Sequence, residues 1–211
     1  LLIKIEIKIC YKVIFICNTI NKHITMSITL IYGPMFSGKT TKLIDLYNAT
    51  ISQNKNCVAI NYELDTRYGK NKIISHDGLA IDCYSITNLD DFIKNSATKE
   101  VITNADYIFI NEAQFFETIF TSVLYLNETL KKNVILCGLD LDYKRQKFGT
   151  MMELLPKSNT IFKMTGKCVK CDGASCYSHR IVNNTNYFQI LIGTSEYIPL
   201  CETCYIKENN I

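Results

Sequence analysis

The octet Gly33-Pro34-Met35-Phe36-Ser37-Gly38-Lys39-Thr40 constrains this chain more than any other stretch. It fits the pattern G-x-x-x-x-G-K-[ST] and follows an apolar, β-branched run from Ile28 to Tyr32, the context of a strand feeding a helix start. Glycines at both ends let the backbone curl so that successive N–H groups point inward. The positive end of the following helix then adds to the point charge of Lys39. Thr40 offers a hydroxyl to a Mg²⁺ ion that bridges the outer two phosphates of a nucleotide. The octet reads as a nucleoside triphosphate site.

A chain of 211 residues with 47% hydrophobic content can bury one sizeable core and a small accessory lobe. Lys and Arg number 23 against 20 Asp and Glu; a formal charge of +3 is too mild to argue for a polyanion, so no nucleic-acid partner is expected. Ten cysteines can mean a secreted disulfide framework or metal-bound thiolates in a reducing compartment. No cleavable leader is visible and four of the ten fall in two Cys-x-x-Cys pairs, which favours the second reading and a cytoplasmic setting.

Residues 1–25 read apart from the body. Between Ile3 and Ile9 apolar residues alternate with Lys4, Glu6 and Lys8, a strand-like period whose charges forbid a membrane span, and Val13 to Cys17 is too short for a signal core. Met26 stands directly before the strand leading into the loop, so the natural polypeptide is expected to start there, with 1–25 an extension, 26–160 an α/β domain and 161–211 a metal-binding lobe. Thr41 to Gln53 suits a helix packed on a sheet, and Cys57 to Tyr62 a second strand completing a βαβ unit. Glu63 to Asp82 turns polar and reads as a functional loop or flap. Leu89 to Asn95 reads as a short helix, Ala105 to Ile110 as a buried strand, Glu117 to Lys132 as a helix and Asn133 to Gly138 as another central strand. The alternation implies an α/β fold, a P-loop NTPase-like parallel sheet flanked by helices.

Such folds place a carboxylate at the end of the strand neighbouring the phosphate loop, and here the pair is Asn111-Glu112. Asn111 can orient a metal-bound water but carries no charge. Glu112 suits a general base toward a hydroxyl attacking the γ-phosphate; it also suits a solvated strand-end acid. Arg67 can neutralise charge building on the transferred group or simply sit in solvent. Cys168-x-x-Cys171 and Cys201-x-x-Cys204 can close a tetrahedron around Zn²⁺, and a site with no open position is structural. The insert from Asp172 to Leu200 is long for such a ribbon. Its segment Tyr187 to Gly193, with Tyr197, suits either a lid over a flat ring or a β-hairpin. Cys10, Cys17, Cys57, Cys83, Cys137 and Cys176 read as small apolar fillers or free thiols.

Taken in order, GPMFSGKT, DTRY, EAQFF, LDLDYKRQKFG and the paired Cys-x-x-Cys lobe resemble the type II thymidine kinases, the cellular and poxvirus type, from about Ile28 to Tyr205. The resemblance implies transfer of the γ-phosphate of ATP to the 5′-hydroxyl of thymidine, with Mg²⁺ and structural Zn²⁺. It also implies a homotetramer whose zinc lobe carries a lasso loop over the nucleoside, and no membrane partner. It places the proton acceptor on Glu112 and the ATP site on the octet with Asp65, Thr66, Arg67, Asn111 and Gln114, Thr40 serving Mg²⁺. Tyr143 falls where a base-stacking aromatic, often Phe, is expected; Met35 and Leu139 fall near the thymine methyl, with Phe115 beside them. Ser178 falls where Thr is frequent, and the lasso falls on Gln189, Ile190, Leu191, Ile192 and Gly193, with Tyr197 beyond. Two departures stand out. Relatives commonly carry Asp-Glu at Asn111-Glu112, and the segment Ile192 to Tyr197 is one residue shorter than in many animal relatives.

Overall fold

The computed structural model describes residues 26–65, 71–182, 189, 191, 193 and 195–211. The expected extension over residues 1–25 and the expected site residues Thr66, Arg67, Ile190 and Ile192 lie outside the described residues.

The apolar runs form the centre of the molecule. Strands β1 (Ile28–Tyr32), β2 (Cys57–Tyr62), β5 (Tyr84–Ile86), β6 (Tyr107–Ile110), β7 (Asn133–Gly138) and β8 (Thr160–Lys163) make one sheet in the order β5-β2-β6-β7-β1-β8. Every pairing in it is parallel. A parallel sheet reached through crossovers is covered on both faces, and alternate side chains divide accordingly. Leu30, Ile108, Ile110 and Leu136 pack toward Phe116, Ile119, Val123 and Leu126, whereas Ile31, Phe109, Ile135 and Cys137 pack toward Leu43 and Ile44. Those last two belong to helix α1 (Lys39–Ile51), while the first face is covered by α2 (Leu89–Lys94), α3 (Lys99–Asn104) and α4 (Ile119–Leu124).

The structure corrects four expectations. The strand ending in Asn111-Glu112 does not neighbour the phosphate-loop strand, because β7 lies between β6 and β1. After β1 the chain passes two sheet positions before laying down β2, and later strands fill the gap. Glu63 to Asp82 is not one irregular flap: β3 (Lys72–Ile74) and β4 (Ala80–Asp82) pair as an antiparallel hairpin. That hairpin is fastened by Ile73 and Ile81, buried in the α1-side core. The helix expected over Glu117 to Lys132 is α-helical only through Leu124 and runs into a π turn, Tyr125–Thr129, closed by Leu130 N–H to the Tyr125 carbonyl. The expected boundary after residue 160 falls within β8, which pairs with β1, so the chain leaves the sheet only after Lys163.

Beyond the sheet, β9 (Gly166–Lys167) pairs with β10 (Ala174–Ser175), and β11 (Tyr177–Arg180) pairs antiparallel with β12 (Tyr197–Leu200) before helix α5 (Glu202–Asn209). Cys168, Leu200 and Tyr205 form the small core of this lobe. Among the described residues no helix is long and apolar enough to cross a membrane.

Ile73 is 1% exposed although its strand has only three residues, so it ties the hairpin to the body. Ile73→Ala is expected to lower stability by about 2–5 kcal/mol in urea unfolding, the usual range for emptying such a site. An unchanged midpoint would show that the hairpin lies outside the cooperative core.

Candidate active site

The carboxyl ends of β1, β6 and β7 open on one edge of the sheet, where α/β folds hold their ligands. From β1 the chain enters the phosphate loop at Gly33. A Cβ there would stand 2.2 Å from the Met164 carbonyl oxygen, so only glycine lets the loop start this close to the chain leaving β8. Gly38, at φ 78°, turns the loop into α1 through the left-handed region. No side chain caps that helix and its first turn holds no acid, so its N–H groups and dipole are left for a ligand. Lys39, 9% exposed, donates from Nζ to the Pro34 carbonyl at 2.6 Å and to Ser37 Oγ at 3.4 Å. The Met35 N–H donates to Ser178 Oγ at 2.9 Å, tying the loop to β11.

At the end of β6, Glu112 takes a left-handed conformation (φ 51°, ψ 42°), uncommon for a residue with a side chain and costing about 1–3 kcal/mol. Gln114 holds it: Nε2 donates to Glu112 Oε2 at 2.7 Å while Oε1 accepts from the Leu139 N–H at 3.0 Å, so one amide spans the ends of β6 and β7. Gly138 and Gly149 make room for that bridge, since a Cβ on either would fall within 2.4 Å of a Gln114 oxygen. Beneath it runs a neutral chain across three strands. Asn111 Nδ2 donates to Asn61 Oδ1 at 2.8 Å, and the Cys137 thiol donates to Asn111 Oδ1 at 3.0 Å. Burial pushes the Cys137 thiol up to about 12, and the neighbouring Glu112 charge adds to the effect, so it stays protonated.

One cleft gathers Met35 to Thr40, Asp65, Asn111, Glu112, Gln114, Phe115, Leu139, Tyr143, Ser178, Gln189, Leu191, Gly193 and Tyr197. Gly33 and Pro34 are buried and do not line it. Phe115 is stacked on Tyr62 with ring centroids 5.1 Å apart and meets Phe148 edge-on, giving the floor an aromatic backing. At the lasso end the Gln189 side chain donates to Asp142 Oδ2 at 2.9 Å and to the Lys147 carbonyl at 3.1 Å. Asp142 itself accepts the N–H groups of Lys144 and Gln146, which fixes the loop bearing Tyr143. The Tyr143 carbonyl accepts the Tyr205 hydroxyl at 2.5 Å, fastening the same loop to the cysteine lobe. The β11–β12 ladder brackets the segment expected to form the lasso, and of its described residues Gln189, Leu191 and Gly193 line the cleft.

Asn61, Lys72, His76, Asp142 and Phe148 also line the cleft. Asn61 carries a signal in the sequence, being a lone amide in an otherwise apolar strand. Lys72 and His76 belong to the polar stretch Glu63 to Asp82 that reads as a functional loop, and the β3–β4 hairpin is what brings them to the cleft.

The four sulfurs of Cys168, Cys171, Cys201 and Cys204 lie within 4.8 Å of one another, with Cys171 and Cys201 at 3.5 Å. Tetrahedral zinc with Zn–S bonds of about 2.3 Å needs sulfur–sulfur edges of about 3.8 Å, so the donor set and its spacing suit that ion. All eight described cysteines are free. Burial works against ionising Cys168, but N–H donors of Cys201, Lys170 and Cys171 outweigh it and bring that thiol down to about 6. Cys204 is pushed up to about 12, chiefly by its hydrogen bond with Cys201. The cluster is positioned to bind a metal ion and fits structural zinc.

The thymidine kinase family model matches residues 26–205. The chain belongs to the thymidine kinase family. It is 31% identical over 183 residues to thymidine kinase a of Arabidopsis thaliana, covering 87% of this chain and 76% of that one. It is 34% identical to thymidine kinase of Yaba monkey tumor virus, covering 87% and 96%. Among solved structures, domain III of the Thermotoga maritima replication initiation protein DnaA aligns with a TM-score of 0.44 at 16% identity, over 68% of this chain and 56% of that one.

Purified protein is expected to carry about one zinc per chain by elemental analysis, and Cys171→Ser to lose it together with the protease resistance of residues 165–211. A zinc-free variant with wild-type resistance would separate the metal from the lobe's folding.

Proposed function

We infer that this chain transfers the γ-phosphate of ATP to the 5′-hydroxyl of thymidine, yielding dTMP for DNA precursor synthesis. The observation that carries this reading is that Glu112 and the phosphate loop line one cleft together with Tyr143, Leu139, Gln189, Leu191 and Gly193. Membership of the thymidine kinase family supports it.

In this mechanism MgATP enters as substrate, its phosphates lying along the N–H groups of Met35 to Thr40 and the open end of α1. Lys39 turns from the Pro34 carbonyl to the phosphate oxygens, and the Thr40 hydroxyl faces the magnesium that accompanies the nucleotide. Asp65, Thr66, Arg67, Asn111 and Gln114 complete the ATP side. Thymine lies against Tyr143, with Met35, Leu139 and Phe115 around its methyl edge and Ser178 nearby. Gln189 to Gly193 and Tyr197 cover it and exclude water, which suppresses hydrolysis of ATP. Glu112 Oε takes the 5′-hydroxyl proton as that oxygen bonds the γ-phosphorus and the bond to ADP breaks. Gln114, bonded to the same carboxylate, keeps it at the mouth of β6. The working form we infer is a cytoplasmic homotetramer with zinc in the lobe.

Glu112→Gln is expected to lower kcat by about 10²–10⁴ with ATP affinity nearly unchanged. The measurement is phosphate transfer from labelled ATP to thymidine, with nucleotide binding titrated separately. Turnover near the wild-type rate would remove Glu112 from the proton transfer, and a folded, zinc-loaded wild type that leaves thymidine unphosphorylated would overturn the reading itself.

A further inference from the structure

Arg180 is absent from the cleft wall, yet the residues it holds make up that wall. It sits on β11 directly across the ladder from Tyr197 on β12. Its Nε and Nη2 both donate to the Tyr197 hydroxyl, at 3.2 and 2.6 Å, and Nη2 also donates to the Gln189 carbonyl at 3.3 Å. The Tyr197 hydroxyl, having accepted two N–H groups, spends its own proton on the Leu191 carbonyl at 3.1 Å. Two lasso carbonyls are thereby turned to one guanidinium–phenol pair. On its flat side the same guanidinium lies 3.7 Å from the centroid of the Tyr143 ring. Tyr143 lines the cleft and Arg180 does not, so the guanidinium packs on the ring without itself entering the lining. The circuit closes through the Gln189 side chain, which reaches Asp142 beside Tyr143.

We propose that Arg180 is a positioning residue of the nucleoside site: with the Tyr197 hydroxyl as relay, it fixes the lasso carbonyls of Gln189 and Leu191 and the plane of the Tyr143 ring, and so sets affinity for the pyrimidine nucleoside without touching it. This inference rests on the thymidine reading above. The chemistry asks for arginine. A planar guanidinium offers several N–H groups in its plane and a face to stack, whereas an ammonium cannot serve two acceptors and a ring in that geometry. The Tyr197 phenol likewise needs its hydroxyl, which phenylalanine would remove while keeping the ring.

The test uses the full chain and Arg180→Gln, Arg180→Lys, Tyr197→Phe and the Gln/Phe double variant. Its first readout, hydrogen exchange of peptides covering Gln189 to Tyr197, needs no activity. Exchange there is expected to rise in both Arg180 variants, with the phosphate-loop peptides unchanged. The second readout is steady-state kinetics: the thymidine KM is expected to rise about tenfold or more, with the ATP KM within about twofold of wild type, and Lys is not expected to rescue. The effects of the double variant are expected to be less than additive, because both changes remove the Arg180–Tyr197 bonds. Unchanged exchange in Arg180→Gln overturns the proposal, as does raised exchange with an unmoved thymidine KM. If the wild type does not phosphorylate thymidine, the functional reading fails separately and the exchange data still decide whether the latch exists. Should Arg180→Gln not fold, Tyr197→Phe, which keeps the ring in place, answers by the same two readouts.

Discussion

The seam between the phosphate loop and the chain leaving the sheet has no room for side chains. At one point a Cβ on Gly33 would lie 2.2 Å from the Met164 carbonyl oxygen; at another, a Cβ on Gly166 would lie 2.7 Å from the Phe36 carbonyl oxygen. Backbone therefore meets backbone, and the loop cannot shift without moving the strand that opens the cysteine lobe. Ser178 completes the seam by accepting the Met35 N–H from within β11. Two residues further along that strand, Arg180 holds the lasso. The phosphate loop and the segment bearing Gln189 and Leu191 are thus joined through one four-residue strand, whose partner β12 runs directly into the cysteine cluster.

The same seam explains what the cysteines do for a site they do not enter. Cys201 follows directly on β12, and Tyr205, one residue past Cys204, bonds the Tyr143 carbonyl. Arg145 stands 5.0 Å from the Tyr205 ring, from the same loop. Ordering the four sulfurs places Tyr205, Tyr205 places the Tyr143 loop, and that loop walls the cleft. A metal held beside a satellite core of three buried residues, too small to be stable on apolar area alone, would contribute its binding energy to this chain of contacts.

Legibility followed locality. The octet was readable because its conformation is dictated by its own glycines, and Cys57–Tyr62 and Asn133–Gly138 were readable because a strand buried on both faces is a near-continuous apolar run. The β3–β4 hairpin was not, since three-residue strands give one buried side chain each, Ile73 and Ile81, and no run of alternation forms around them. Strand order was hidden for a different reason: pairing β7 between β1 and β6 is settled by which faces the crossover helices cover. Arg180 was hidden because its significance lies in partners 17 and 9 positions away and in a ring on another loop.

Asn111 gains meaning only in three dimensions. An aspartate there would add a buried negative charge beside Glu112, and like charges at one strand end raise one another's pKa. The amide instead donates to Asn61 and accepts from a Cys137 thiol that stays protonated, so three adjacent strands are tied by a neutral chain. Of the two residues that follow β6, Glu112 alone has a carboxylate side chain. An asparagine at this position therefore ties three strands by hydrogen bonds instead of placing a second carboxylate at the site.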